Sequence, residues 1–431
     1  MKSPKQSRGN SIIGALALAL ALAMAVPPAH ANVFASNVKI NGGVTNVAVA
    51  QGTSLTISYI LNEPASSGVT IKILSGATAV RTITITGGSA GTTRGLNTVT
   101  WSSKNDSSGN VPEGNYSISI TAASSGYSGW TVTTDDNNDG NYSWEARGIA
   151  VDRNTNSPYY GRAFVGNSYD NSLNGASPLL GDYLGIQKLN ADGSYADEGG
   201  FSDGGVAWRG GGFAPWKIRV SDDDKVYVMD FYGNGEVYRF DPVISTNSTL
   251  HVLREDNDGT SELSGMAIAG KGASTQLWMT DDHGLGAGIL KFAVTADGTC
   301  ATNDTGTTMV GVGGSLDSAP YAVALDKSGN VYCVQNCQSQ GGLSPRVFRF
   351  PAYDPGTNGG VPVTHADWSV PASDDTAGAQ GIAVDPTGTY VAGCFWGYWM
   401  SLYTDGNLKI YYAAQGKVVT NLPLQECSGS F

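Results

Sequence analysis

The sequence predicts an all-β protein: an N-terminal β-sandwich followed by a β-propeller of five to six blades. Three observations carry the prediction. A strand–turn–strand phrase recurs five times after residue 145, residues 33–123 alternate apolar and polar with a period of two, and glycine is abundant, 58 of 431 residues, as a chain of many turns requires. The phrase reads Gly148-Ile149-Ala150-Val151-Asp152, Lys217-Ile218-Arg219-Val220-Ser221, Gly265-Met266-Ala267-Ile268-Ala269, Ala322-Val323-Ala324-Leu325-Asp326 and Gly381-Ile382-Ala383-Val384-Asp385. Each copy leads into a second β-rich run, such as Val226-Tyr227-Val228-Met229 or Val331-Tyr332-Cys333-Val334. One small sheet cannot bury both of its faces. A unit repeated every 48 to 69 residues must therefore stack on its neighbours, which is the logic of a propeller.

The first element in chain order is a targeting segment. Lys2, Lys5 and Arg8 precede an apolar run at 12–26, which ends near Ala29-His30-Ala31. A basic start, a short apolar core and an A-x-A site predict a signal peptide over 1–31, cleaved after Ala31. The expected destination is outside the cytoplasm: extracellular, cell-surface or periplasmic. No second long apolar segment follows, so no membrane span is expected after cleavage. Cleavage removes those three cations and no acid, taking the formal charge from −12 to −15. A nucleic-acid partner is excluded on this balance, because counterion release needs clustered Lys and Arg. Five cysteines, Cys300, Cys333, Cys337, Cys394 and Cys427, sit in the last third of the chain. Export permits disulfides, an odd count leaves one thiol over, and no connectivity follows from spacing.

The second element is the sandwich. Its strands are expected at 55–60, 69–74, 80–85 and 116–120, each with one apolar and one polar face. Between them lie Gly95-Leu96-Asn97-Thr98-Val99-Thr100-Trp101 and, after a polar turn, Val111-Pro112-Glu113-Gly114-Asn115-Tyr116. This stretch resembles the immunoglobulin-like domain of flagellar hook-capping proteins (FlgD type), with Ser102-Ser103 where that family commonly has Asp-Gly. The resemblance implies an immunoglobulin-like sandwich over 33–123 serving as a spacer or assembly module, with no catalytic residue. Trp101 and Tyr116 are expected as core anchors flanking a hairpin, and Gly109 and Gly114 as turn residues.

A small-residue run at 124–129 marks the linker, and the propeller is expected over 130–431. Its phrase is similar to the blades of NHL and gluconolactonase-type propellers. Five units are visible, and a sixth is expected if 130–142 pairs with the tail at 408–422.

Candidate sites follow from aligning the units. Asn167, Asp230, Asp281, Gln335 and Phe395 fall just after the second strand of each, so a polar ring is expected at one mouth. Such oxygens, with Glu145 and His283 near, suit a hard divalent cation, although Asp and Asn also simply open turns. Asp135, Asn137 and Asp139 have the alternate spacing of a calcium loop, with Gly140 at the sharp turn and Ala146 where a twelfth-position Glu belongs. Calcium is the one cofactor implied. Nucleophilic catalysis finds no support, since no Gly-x-Ser-x-Gly elbow is present and the mature histidines are only His251, His283 and His365. Trp208, Trp216, Trp396 and Trp399 cluster near loops, where aromatic faces either stack on a ligand or pack between blades.

Two functions stand at this point. The first is a secreted or cell-surface binding or scaffold protein whose propeller recognises an extracellular protein or glycan. The second is a metal-dependent hydrolase or lactonase at the mouth, with Asp230 and Asp281 as its acids and Asn167 and Glu145 as further metal ligands. Neither implies an oligomeric state.

Overall fold

The computed structural model describes residues 33–125, 146–168, 184–208, 214–231, 235–254, 263–281, 288–302, 304–318, 320–335, 346–371, 378–396 and 407–423. The chain divides into two compact units between residues 133 and 134. Both are built from strands, the main exception being one helical turn at Pro355–Asn358. Residues 1–31, expected from sequence to be a signal peptide, and most of the expected linker lie outside the described residues.

The first unit is a sandwich of two antiparallel three-stranded sheets. One contains β1 (Ala35–Ile40), β2 (Leu55–Leu61) and β5 (Gly95–Trp101); the other contains β3 (Gly68–Ser75), β4 (Thr78–Ile85) and β6 (Ser117–Ala123). Alternation places Ile57, Tyr59 and Leu61 opposite Val69, Ile71 and Ile73 in one buried core. Trp101 donates its indole N–H to the Lys104 carbonyl at 2.8 Å and meets Tyr116 edge-on at 6.2 Å. Both residues are thus anchors, but they do not flank a hairpin between paired strands. β5 pairs with β2 and β6 with β3, so the intervening segment crosses from one sheet to the other. The left-handed turn positions there are Ser103 and Ser108, not Gly109 and Gly114.

Among the described residues the second unit contains five four-stranded antiparallel sheets, each ordered first to fourth strand along the chain. The first strands are Ala146–Val151, Ile218–Val220, Leu263–Ala269, Pro320–Leu325 and Gly378–Val384. They pair with second strands Ala163–Asn167, Val226–Asp230, Gln276–Asp281, Val331–Gln335 and Tyr390–Trp396. First strands pack side by side in chain order, and residues of blades 2 and 4 also meet, so these strands line a common axis. Residues 408–422, assigned above to a sixth blade, instead lie in the third and fourth strands of blade 5. The proposed partner, 130–142, lies outside the described residues.

The phrase acquires a physical meaning here. In blades 2 to 5 the large residues of the inner strand face the preceding blade, and in blades 1, 3 and 4 the small ones face the following blade. Ile218 and Val220 pack with Ala150 of blade 1, Val323 and Leu325 with Ala267 and Ala269 of blade 3, and Ile382 and Val384 with Ala322 and Ala324 of blade 4. The glycine is required by close approach. A Cβ on Gly148 would stand 2.5 Å from the Trp216 carbonyl oxygen and 2.9 Å from the Lys217 Cα; one on Gly265 would stand 2.9 Å from the Ala322 Cα. The closing Asp ties the next turn: Asp326 accepts from the Ser328 and Asn330 amides at 2.8 and 3.0 Å, from the Asn330 side chain and from the Tyr332 hydroxyl. On blade 1 the large residues face away from blade 2, and there Ile149 is 64% and Val151 44% exposed.

An ionic clamp with buried cations and a partly exposed carboxylate joins blades 1 and 2. Glu198 bridges Arg162 (2.5 Å) and Lys188 (3.3 Å), while the two cations donate onward to the carbonyls of Pro242 and Val243. Among the described residues no helix is long and apolar enough to cross a membrane.

Candidate functional site

Each inner strand begins with an irregularity of register. The shift falls between Ala146 and Gly148, Leu263 and Gly265, Pro320 and Ala322, and Ala379 and Gly381, so Arg147, Ser264, Tyr321 and Gln380 occupy equivalent bulged positions. Blade 2 places Trp216 and Lys217 there together: the Trp216 amide donates to the Met229 carbonyl (2.7 Å), and the Met229 amide donates to the Lys217 carbonyl (2.9 Å). A bulge re-aims the side chains at its two residues.

The result is a cation–aromatic cluster drawn from different blades. The Lys217 ammonium sits 4.6 Å from the Trp216 ring centroid and 5.3 Å from that of Tyr321 in blade 4. The Arg147 guanidinium of blade 1 lies 5.5 Å from the Trp216 ring. Trp216 meets Tyr321 edge-on at 6.0 Å and Phe231 at 5.2 Å, and its indole N–H donates to the Ser264 carbonyl of blade 3 at 2.8 Å. Cys394 of blade 5 is within electrostatic reach of Lys217. Burial lowers the Lys217 pKa to about 7, the like charges of Arg219 and Arg147 push the same way, and Cys394 opposes them. Arg219, one position further along the same face, is lowered to about 10 by burial and by Arg153. Burial raises the Cys394 thiol, against the pull of Lys217.

Lys217 and Arg219 stand where the phrase carries Gly or Ala, then Ala, in the other blades. That break in the repeat was present in the sequence as Lys217-Ile218-Arg219, and it is the signal that sequence reasoning passed over. Arg147 and Tyr321 had no such signal, because their convergence depends on the bulges.

The residues singled out from sequence fall in other places. Asn167, Asp230, Asp281 and Gln335 are buried at equivalent ends of the second strands, and Phe395 holds the same position in the register of blade 5. Gln335 donates to the Ser318 hydroxyl at 2.9 Å, so its amide fastens the connection entering blade 4. Among the described residues no group of three or more His, Cys, Asp or Glu is placed to hold a metal ion. Glu145, His283 and the loop of Asp135, Asn137 and Asp139 lie outside the described residues. Trp208 is a packing residue: it is buried, lies 5.4 Å from Tyr238 and donates to the Asp203 carbonyl at 2.9 Å. Trp216 is buried too, but at the axial cluster. Trp396 ends the second strand of blade 5, and Trp399 lies outside the described residues.

Comparison with known proteins bears on the first unit. Residues 44–126 match the FlgD Ig-like domain. The FlgD-type resemblance read from Trp101 and Tyr116 therefore holds for that segment, which is less than half of the chain. No curated protein matches the chain. Among solved structures, a puromycin-hydrolyzing peptidase of Mycobacterium tuberculosis aligns at 14% identity over 48% of this chain and 30% of that one, TM-score 0.27. The C-terminal WD40 domain of Sif2 aligns at 8% identity over 65% and 73%, TM-score 0.27, and the tricorn protease at 10% over 87% and 30%, TM-score 0.19. The chain spans less than a third of the length of the two proteases, and at these scores no functional argument passes from any of the three.

Proposed function

We propose that this chain is an exported, surface-associated binding protein in which the immunoglobulin-like unit acts as spacer and the propeller recognises an extracellular protein or glycan. The observation that supports this most is the asymmetry of the blade connections. First-to-second-strand turns in blades 2, 4 and 5 are tight, at 221–225, 326–330 and 385–389, and are tied by Ser221, Asp326 and Asp385. The second-to-third-strand connections emerge at the opposite end and include the long segments 168–184, 336–345 and 397–406. Recognition tends to be carried by long connections held on a rigid frame. The likeness of the phrase to NHL and gluconolactonase-type blades belongs to this reading as a likeness of frame. Calcium at Asp135, Asn137 and Asp139 belongs to it as a structural ion.

The test has two arms. Amino-terminal sequencing of protein recovered from outside the cytoplasm is expected to begin at Asn32. Binding of the mature chain to a glycan array and to intact cells is expected to be lost when 168–184 is replaced by a short Gly-Ser turn in a protein that still unfolds cooperatively. Retained cytoplasmic protein, or undiminished binding by the loop variant, refutes the proposal.

A further inference from the structure

Blade 2 departs from the other blades a second time, on its outer strands. Its third strand, Glu236–Phe240, begins with an acid where the other third strands begin with Gly185, Gly288, Arg346 and Asn407. The frame therefore does not require a carboxylate there. The fourth strand, Leu250–Leu253, pairs Val237 with Leu253 and Tyr238 with His251, so the register slips by one residue at Val252 and sets His251 beside the irregularity. The Tyr238 and His251 rings stack at 4.5 Å with 15° between their planes, which holds the imidazole in one orientation. Its Nε2 atom lies 3.6 Å from Glu236 Oε2, and the same oxygen accepts from the Tyr238 hydroxyl at 2.9 Å. The His251 and Glu236 side chains keep only 20% and 15% of their exposure. The imidazole hydrogen-bonds the backbone of Leu253, whereas Nε2 is buried with no hydrogen-bond partner. This assigns the ring proton to the other nitrogen and leaves a lone pair on Nε2 facing a carboxylate oxygen. Burial lowers the His251 pKa from its ordinary value, Glu236 opposes the shift and Arg254 reinforces it, so the neutral ring prevails at pH 7.5. Two acceptors thus face one another across a gap that a cation would fill.

The geometry points to a zinc site on blade 2 whose protein ligands are His251 Nε2 and Glu236 Oε2. One imidazole nitrogen with one carboxylate oxygen suits a divalent transition metal, whereas calcium and magnesium take oxygen ligands. Bonds of about 2.0–2.2 Å to atoms 3.6 Å apart meet at an angle of about 110–130°, a range that begins at the tetrahedral value. The Tyr238 hydroxyl occupies one lone pair of Oε2 and orients the carboxylate, as an outer partner of a metal ligand does. Among the described residues no third His, Cys, Asp or Glu joins the pair, so water or a bound ligand completes the coordination. Glu236 follows directly on the connection 231–235 between the second and third strands, which places the site at the end from which the long connections emerge. The charge of Arg254 opposes a second cation, but this side chain is exposed and water screens it. The zinc site does not rest on the binding-protein reading above.

The experiment uses the mature, tag-free chain at pH 7.5, with isothermal titration of zinc chloride, calcium chloride as the hard-cation control, and NMR of histidine-labelled protein. Saturable zinc binding is expected, with His251→Gln and Glu236→Gln each weakening it about tenfold or more. Tyr238→Phe is expected to weaken it less, and His365→Ala, at an exposed position, to leave it unchanged. The mature chain has three histidines, so His283→Ala and His365→Ala assign the His251 ring resonance by elimination. Zinc is expected to shift that resonance in the parent protein, which keeps the test decisive if a buried substitution fails to fold. No saturable zinc binding, or binding unchanged in both His251→Gln and Glu236→Gln, overturns the site. A His251 resonance that follows pH but not zinc also overturns it and leaves a pair that shares a proton. Calcium binding as tight as zinc binding overturns the choice of a transition metal.

Discussion

Replacing Lys217 by Met should change how the stability of the protein depends on pH. In the unfolded chain this amine titrates near 10.5, and in the fold near 7. Between these values the unfolded state holds a proton that the folded state has given up, so the Lys217 contribution to stability rises with pH through that window and is least favourable below pH 7. The shift of about 3.5 units corresponds to about 5 kcal/mol at full extent, of which about 4 kcal/mol falls between pH 6 and pH 10. Met keeps the length of the side chain and its contact with Trp216 while removing the titration. Urea unfolding of both full-length proteins, followed by tryptophan fluorescence at pH 6, 8 and 10, isolates this group as the difference between two pH profiles. The variant is expected to gain relative to the parent at pH 6 and to lose that advantage by pH 10. Parallel profiles would refute the assignment of a buried, deprotonating amine at the axis.

Three further outcomes test the frame around the site. Glu198→Gln leaves Arg162 and Lys188 without their shared carboxylate between blades 1 and 2, and, with the carboxylate partly open to solvent, should cost about 1–3 kcal/mol in denaturant unfolding. Gly148→Ala forces a Cβ against the backbone of blade 2 and should cost about 1–3 kcal/mol; Gly381→Ala, whose Cβ meets nothing nearer than the Cys394 Cβ at 4.0 Å, should cost less, and equal costs would contradict the packing rule. Burial pushes the Cys300 thiol up to about 12 and the Cys333 thiol higher still, so peptide-resolved alkylation at pH 7.5 should leave both unlabelled until urea is added.

How much of this was legible in the sequence differs element by element. Alternation located the sandwich strands because one face of each is buried against the other sheet: 55–60 became Leu55–Leu61 and 69–74 became Gly68–Ser75. It did not reveal that the segment between Trp101 and Tyr116 changes sheets, since a crossover and a hairpin use the same turn residues. The repeated phrase marked the blades, and its Ile and Val pack against the preceding blade except in blade 1, where Ile149 and Val151 are exposed. The glycine within it was readable only as a turn former, whereas it answers to a neighbouring backbone at 2.5 Å. The tail at 408–422 was misassigned because strands of blade 5 and of a further blade would show the same pattern. At the site, Trp208 and Trp216 look alike in sequence, and only the neighbours distinguish them: Tyr238 and Phe240 for one, Lys217, Arg147 and Tyr321 for the other. The polar strand ends Asn167, Asp230 and Asp281 share a position, yet a shared position is weaker evidence of a site than a position at which one repeat departs from the rest.

The polarity of the blade junctions bears on how a chain of this kind changes in length. The seams between blades 1 and 2, 3 and 4, and 4 and 5 each join a bulky row to a compact one, in the same sense along the chain; the second blade, with Lys217 and Arg219 in the compact row, is the exception. Excising a whole unit whose predecessor keeps the compact row would bring that row against the bulky row of its successor, re-creating a junction of the kind just lost. The Ile149 and Val151 edge of the first sheet already carries the bulky half of such a junction. Growth and shortening by entire sheets are thus compatible with the steric code of the inner strands, while a change of half a sheet would set bulk against bulk.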